Sequence, residues 1–195
     1  MRLNDAVNIE DLHQMAKRRL PKVAFDFIEG GLEDERGLAR NTEAFHKHFL
    51  LPRYLVDVSK RDQSQTIFGR KFNSPFGISP TGSAGLFRRG ADMMLAEAAR
   101  EANIPYIMSG ASNQTIEDAA RVAPQNAWYQ LYAAKDAAVS DDLIKRTADA
   151  GLDALVLTVD VPVHSKRERN TRNGYASIRG NWLQAALSLK PSLLA

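Results

Sequence analysis

The sequence predicts an α/β protein: a helical lead-in, then the first four βα units of a parallel (β/α)8 barrel. Three observations predict it. Short apolar runs recur from Ser74 onward, spaced by roughly 25 residues, about the size of one βα unit. Helix-period amphipathic segments lie between them. The runs are near-continuously apolar, as strands buried on both faces of a parallel sheet are.

The elements follow in order. Asn8 with Asp11 three residues on has capping-box spacing, and Ile9, Leu12, Met15 and Ala16 keep helical period. Pro21 suits the first turn of a second helix, 21–28, which Gly30 and Gly31 end. A third helix is expected over about 33–46, with Leu38, Ala39 and Phe45 on one side. Residues 51–70 read as an extended, polar link.

SPFGISP, IPYIMSG, AWYQLY and ALVLTVD are the four expected strands, the first closed by Pro80, the second by Gly110 and the last by Asp160 and Pro162. GADMMLAEAAREAN is the helix after the first. TIEDAARVA, with Thr115 and Asp118 at capping-box spacing, follows the second. SDDLIKRTADAG follows the third, with Ser140 as its expected N-cap and Gly151 just past its end. A doubly wound open sheet would fit the same alternation. Such a nucleotide fold should carry G-x-G-x-x-G after its first strand. Pro80-Thr81-Gly82-Ser83-Ala84-Gly85 lacks that spacing, and no G-K-[ST] occurs. The barrel is favoured. A whole barrel takes about 250 residues, whereas this chain of 195 residues supplies four strands.

Composition narrows the function classes. The chain is 44% hydrophobic, enough for a real core. With no cysteine, disulfides, thiolate metal sites and cysteine nucleophiles are excluded. No apolar h-region occurs in MRLNDAVNIEDLHQMAKRR, so no secretory signal is expected. The net charge of +3 is less informative than its distribution. From Lys166 on, Lys166, Arg167, Arg169, Arg172, Arg179 and Lys190 face one acid, Glu168. That flank matches no nucleic-acid module.

In a β/α barrel the active site lies at the C-terminal strand ends. There the first run offers Pro80, Thr81 and Gly82, the second Ser109, the third Gln130 and Tyr132, and the fourth Thr158 and Asp160. Arg167 follows in the next loop. Any one of these polar residues could be an ordinary satisfied core group. Repeating them on successive strands calls for a shared polar partner, because each costs about 1–3 kcal/mol if left unpaired. A planar polar ligand would be one.

These residues sit in a sequence that resembles the FMN-dependent 2-hydroxy-acid dehydrogenases and oxidases: L-lactate dehydrogenase, mandelate dehydrogenase and glycolate oxidase. The resemblance rests on LPKVAFDFIEGG, LLPRYLVDVSKRDQSQTIFG, SPFGISPTG, MSGAS, WYQLY, LTVDVP and the RER-N-RNG segment, in that order along the chain. It implies a TIM-type barrel with N-terminal helices and FMN as cofactor. On that resemblance residues 1–195 are the N-terminal portion of one FMN hydroxy-acid dehydrogenase domain. Residues 1–73 form the helical lead-in and link, 74–163 strands one to four, and 164–195 a loop and helix segment.

By resemblance, Pro80, Thr81 and Gly82 line the flavin ring, and Ser109, Gln130 and Thr158 hydrogen-bond it. Tyr132 contacts the substrate hydroxyl, and Arg167 lies near the substrate carboxylate. Gly82, where some oxidases carry Ala, leans the reading toward a dehydrogenase. No residue is assigned to a metal. Phe27 stands where many members have a carboxylate-binding Tyr, so either another group binds the carboxylate or Phe27 is core packing. The family's catalytic His, carboxylate-clamping Arg, flavin N1 Lys and phosphate loops belong to a second half that has no counterpart here. His13, His46 and His48 are expected to be solvated on helices, and His164 to be a loop histidine.

The expected reaction is oxidation of an L-2-hydroxy acid, lactate-like or mandelate-like, to the 2-oxo acid. A quinone or cytochrome would accept the electrons, and the full-length form would be a homo-oligomer. The chain alone is expected to be inactive; the rival reading is a non-catalytic half barrel that needs a partner. The expected location is cytoplasmic or peripheral on the cytoplasmic face of the inner membrane. The tail, with Trp182, Leu183, Ala186, Leu187 and Leu189 among basic residues, fits either an interfacial membrane segment or an ordinary loop helix.

Overall fold

The computed structural model of the protein describes residues 3–160 and 165–173. In chain order the elements are α1 (Ile9–Arg19), α2 (Lys22–Glu29), α3 (Arg36–Phe45), β1 (Gln65–Ile67), β2 (Arg70–Phe72), α4 (Ala91–Ala102), β3 (Tyr106–Met108), α5 (Ile116–Val122), β4 (Ala127–Tyr132), α6 (Ala137–Asp149), β5 (Leu155–Thr158) and α7 (Glu168–Arg172). They fall into two compact units, described separately below: residues 3–54 with 165–173, and residues 55–160.

The first unit is helical. Asn8 caps α1 by accepting the Asp11 N–H at 2.8 Å. The return bond expected of a capping box goes one residue further out, from the Val7 N–H to Asp11 Oδ2 at 2.9 Å. Glu10 and Asp11 in the first turn and Lys17, Arg18 and Arg19 in the last complement the helix dipole. Gly30 ends α2 without a left-handed turn, at φ −74. Its need for glycine is one of space: a Cβ there would lie 2.6 Å from the Asp26 carbonyl oxygen.

His13 is not the solvated residue expected of it. Its Nε2 meets Glu29 Oε2 on α2 at 2.6 Å, its Nδ1 meets Glu10 Oε1 at 3.3 Å, and its ring packs on Phe25 at 5.4 Å. The Glu29 hydrogen bond, then that of Glu10, raises the His13 pKa above its ordinary 6.5. A raised folded-state pKa adds stability that is full below the unfolded value and disappears as pH climbs through the folded one. The α1–α2 contact is therefore expected to loosen on the alkaline side of 6.5. An NMR titration of the His13 ring should give a midpoint above that value; a midpoint at or below it contradicts the bridge. His46 is the C-cap of α3 and His48 lies beyond it, both exposed, while His164 lies outside the described residues.

The second unit holds the parallel sheet, in strand order β3-β4-β5. Tyr106 pairs with Ala127 and Met108 with Tyr129; Gln130 pairs with Val156 and Tyr132 with Thr158. SPFGISP is not a full strand. It adds a single parallel bridge, Ile78 to Tyr106, in which the Ile78 N–H donates to the Pro105 carbonyl and the Ile107 N–H to the Ile78 carbonyl. Pro75 and Pro80 bracket the run, and proline has no N–H for a ladder. The polar link contains an antiparallel hairpin the sequence reading missed, β1 with β2, turned through Phe68 and Gly69 at φ 49 and 80. Two positive φ values in a two-residue turn match the twist of paired strands.

The core lies between the sheet and its helices. Ala96 and Ala99 of α4 and Ala119 of α5 are fully buried against Tyr106, Met108, Tyr129 and Leu131. The capping box of α5 forms as expected: Thr115 Oγ1 accepts the Asp118 N–H at 3.1 Å and Asp118 Oδ2 accepts the Thr115 N–H at 3.4 Å. Thr115→Ala should lower stability by about 1 kcal/mol, read as a shift in urea midpoint; an unchanged midpoint contradicts this cap. The N-cap of α6 lies four residues before the expected Ser140. It is Asp136, which accepts the Ala138 N–H at 3.0 Å. Ser140 instead accepts the Ala134 N–H at 3.0 Å. Gly151 follows α6 at φ +73, as its position predicts.

Candidate functional site

Three polar side chains stand side by side at the C-terminal ends of β3, β4 and β5. Gln130, 1% exposed, lies in the middle. Its Oε1 accepts the Gly110 N–H at 3.0 Å and the Ser109 hydroxyl at 3.3 Å, and its Nε2 donates to Thr158 Oγ1 at 2.7 Å. Ser109 Oγ in turn accepts the Ala111 N–H at 3.1 Å. The backbone N–H of Gly110 can only donate, so the amide oxygen must face it. The amide nitrogen then faces Thr158, and the Thr158 oxygen is used as an acceptor. Two protons in the row stay uncommitted: the second Nε2 proton of Gln130 and the hydroxyl proton of Thr158. Both are donors.

The loop after Ile78 packs beside this row. The Ser83 N–H donates to the Ala111 carbonyl at 2.9 Å, and the Gly85 N–H to Asn113 Oδ1 at 3.1 Å. A Cβ on Gly82 would lie 3.2 Å from Ala111 Cβ and 3.7 Å from Ser109 Oγ. Glycine therefore brings the backbone of residues 80–82 close to the row. Pro80 is half-buried and Thr81 exposed. Tyr132 ends β4, 53% exposed, two residues from Gln130. Pro80, Thr81, Gly82, Ser109, Gln130, Tyr132 and Thr158 all belong to the second unit.

Arg167 belongs to the first unit. Its Nη1 donates to the Phe27 carbonyl at 3.3 Å and its guanidinium lies over the Phe27 ring at 5.5 Å. The segment carrying it is held to the N-terminal helices. The Glu33 N–H donates to the Lys166 carbonyl at 3.1 Å, Arg169 pairs with Glu35, and Asn173 donates to the buried Asp26, which Lys22 also holds. The Lys22 hydrogen bond, with that of Asn173 behind it, lowers the Asp26 pKa. The sequence reading singled out Arg167 but missed Asp26, Glu35, Arg169 and Asn173. Its one available signal was the alternation of acids and bases across two distant segments.

Gly110 was read only as a strand terminator. A Cβ there would sit 2.7 Å from the Gln130 carbonyl oxygen, so glycine is what lets its N–H reach the amide. Behind the sheet, Tyr106 donates to buried Asp92 at 3.5 Å; burial, then the Asp92 charge, pushes the phenol pKa up. Among the described residues no group of three or more His, Cys, Asp or Glu could hold a metal ion.

The row fits the edge of a flat heteroaromatic group. It is neutral and hydrogen-bonded along its length, it holds two uncommitted donors, and a backbone without a Cβ lies alongside. Gln130, Thr158 and Gly82 are the residues that could hold the ring of a flavin.

Comparisons with known proteins place the chain among FMN-dependent enzymes. A sequence model described as FMN-dependent dehydrogenase matches residues 16–192. The (S)-mandelate dehydrogenase of Pseudomonas putida is 38% identical over 86% of this chain and 42% of its own length. A peroxisomal (S)-2-hydroxy-acid oxidase of Oryza sativa subsp. indica is 38% identical over 95% and 51%. Among solved structures, the monotopic membrane protein (S)-mandelate dehydrogenase matches with a TM-score of 0.85 at 35% identity, over 94% of this chain and 51% of that one. A mandelate oxidase matches with a TM-score of 0.82 at 37% identity, over 87% and 49%. The chain thus spans about half the length of the curated relatives it matches.

Proposed function

The chain belongs to the FMN-dependent dehydrogenase family, and from that premise we propose that it carries the ring-binding side of an FMN site that serves the oxidation of an L-2-hydroxy acid to its 2-oxo acid. The family is FMN-dependent. The observation that carries the reading is the Ser109–Gln130–Thr158 row, with two donor protons that its own hydrogen bonds leave over. Bound FMN would supply the two-electron acceptor for the substrate. The protein's part is to bind and orient. Gln130 and Thr158 would donate to the flavin ring, Ser109 and Gly110 lock the Gln130 amide, and the backbone of residues 80–82 would hold the ring beside them. Tyr132, exposed at the same strand end, would donate to the substrate hydroxyl. Arg167 would face the substrate carboxylate.

The sheet reads as part of a TIM-type barrel, since Ile78, β3, β4 and β5 supply four parallel positions in order. The (S)-mandelate dehydrogenase among the structural relatives is monotopic. A peripheral membrane contact through the tail around Trp182 is its counterpart here; those residues lie outside the described ones. Among the described residues, no helix is long and apolar enough to cross a membrane. Lactate-like and mandelate-like substrates both suit the site, with a quinone or cytochrome as acceptor.

None of the described side chains in the row can take the proton from a 2-hydroxy acid, since Ser109, Gln130 and Thr158 are neutral donors and acceptors. The 195-residue chain, reconstituted with FMN, is therefore expected to retain flavin through ultrafiltration yet not to turn over L-lactate or L-mandelate with an artificial electron acceptor. Flavin passing freely through the membrane contradicts the binding assignment. Turnover contradicts the expected inactivity.

A further inference from the structure

Helix α3 and the chain that leaves it bury nothing. Every residue from Arg36 to Tyr54 is exposed, and the stretch lies within the first unit. Exposure is ordinary for polar side chains, but here it also falls on large apolar ones. Phe45, Phe49, Leu50, Leu51 and Tyr54 are each at least 80% exposed, and Leu50 is 99% exposed. Scattered single hydrophobes need no explanation; five gathered along one short piece of surface chain mark a protein or membrane contact.

Their arrangement bears on which. A protein groove reads a helix or a strand through its regular spacing. Past Phe45 the helix has ended, and 49–53 is irregular backbone. Phe49, Leu50 and Leu51 are consecutive, so neither a helix face nor a strand face would present all three. A fluid lipid surface sets no such spacing. The backbone of residues 49–54 makes no hydrogen bond among the described residues. Unpaired backbone cannot enter hydrocarbon, which limits any insertion to the depth that water still reaches.

Charge narrows the choice further. From Ala44 to Tyr54 the sequence carries Lys47 and Arg53 and no acid. Neither is in an ion pair among the described residues. A second copy of the same segment would bring like charges together, which disfavours self-pairing. A nucleic acid would use the cations and the rings but gain nothing from Leu50 and Leu51. An anionic lipid surface uses both sets: the apolar side chains enter the acyl boundary while the cations stay at the phosphates.

We propose that residues 45–54 are an interfacial contact for an anionic lipid surface. Phe49, Leu50 and Leu51 enter it shallowly, within about 10 Å of the headgroups, and Lys47 and Arg53 meet lipid phosphates. The contact is independent of the flavin row and of the tail around Trp182.

Sedimentation of the full chain with vesicles tests this, paired with a spin label. The chain has no cysteine, so Leu50→Cys carries a single label. Binding is expected to mixed phosphatidylglycerol and phosphatidylcholine vesicles, and at least about 10-fold more weakly to phosphatidylcholine alone. Lys47→Gln should weaken it by about 5-fold. Leu50→Ser with Leu51→Ser should weaken it by about 10-fold or more. On the mixed vesicles the Leu50→Cys label should become accessible to oxygen and shielded from a water-soluble relaxant. No binding to mixed vesicles, or equal binding to neutral ones, would overturn the proposal. So would a Leu50→Cys label that stays in water while one at Trp182→Cys is immersed, which assigns the contact to the tail. A label shielded without lipid, in a chain that runs as a dimer, would assign the segment to a second copy and overturn it too. The label alone decides the matter if the double serine variant does not fold.

Discussion

Gln130→Leu is expected to cost the protein about 2–4 kcal/mol of stability and most of its flavin retention. The size of the effect follows from what the substitution leaves behind. Leucine fills similar space, so no large cavity opens. The Gly110 N–H and the Ser109 hydroxyl lose their acceptor, and Thr158 loses a donor. Each buried group left unpaired costs about 1–3 kcal/mol. Thr158 is half-buried and can turn to water, which places the sum below three full penalties. A bland core glutamine and a ligand-facing one share this stability loss. They differ in a second readout. Gln130→Glu keeps the acceptor toward Gly110 and Ser109 but gives up the donor toward Thr158 and any ring. It should recover part of the stability while flavin retention stays low. Urea unfolding and flavin ultrafiltration on the three proteins read both quantities. A Gln130→Leu loss below about 1 kcal/mol contradicts the hydrogen-bonded row.

Gly110→Ala is the other large effect, about 2–3 kcal/mol of destabilisation. Its added methyl would start 2.7 Å from the Gln130 carbonyl oxygen. That oxygen belongs to a strand paired in parallel on both sides, where Gln130 faces Val156. The Gln130 backbone cannot yield without breaking ladder bonds, so the turn that carries Gly110 must move. The loss should therefore appear as displacement of the Gly110 N–H from the Gln130 amide, visible as faster hydrogen exchange at that amide. Gly37→Ala is the internal comparison. Gly37 lies within α3, and a Cβ there meets nothing within 4 Å. That change should stabilise by about 0.5–1 kcal/mol, the ordinary helix preference for alanine over glycine. Equal effects at the two glycines would contradict the packing argument.

These residues also mark how far the sequence could be read. Periodicity located α1, α2 and α4 to α6 within a few residues, because their apolar spacing and caps are local. Thr115 with Asp118, and Gly151 past α6, act over three or four residues and were legible for that reason. Ser140 failed as a cap because Asp136 competes for the same role and starts the helix earlier. The β1–β2 hairpin was missed because Phe68-Gly69 is not a usual turn pair; Phe68 adopts a positive φ that its residue type does not advertise. SPFGISP looked like a strand by composition, but a strand also needs N–H groups to pair, and its prolines supply none.

The candidate site was partly legible. Strand alternation alone put Gln130 and Tyr132 on one face; the register sets Thr158 opposite Tyr132, and side-chain hydrogen bonds join Ser109, Gln130 and Thr158 across it. The roles given to them came from family resemblance, not from spacing. The contacts missed are those made across long stretches of chain: Asp26 with Asn173, Glu35 with Arg169, and His13 with Glu29. No local pattern encodes such pairs.

The central claim is that this chain holds the flavin ring rather than the flavin phosphate, whose loops the family resemblance puts elsewhere. Fluorescence titration of the chain with FMN and with lumiflavin, which has the ring but neither ribityl chain nor phosphate, tests it most directly. The account predicts saturable binding of both, with affinities within about 5-fold, roughly 1 kcal/mol, of each other. FMN binding more than about 10-fold tighter than lumiflavin, or no lumiflavin binding at all, would contradict it.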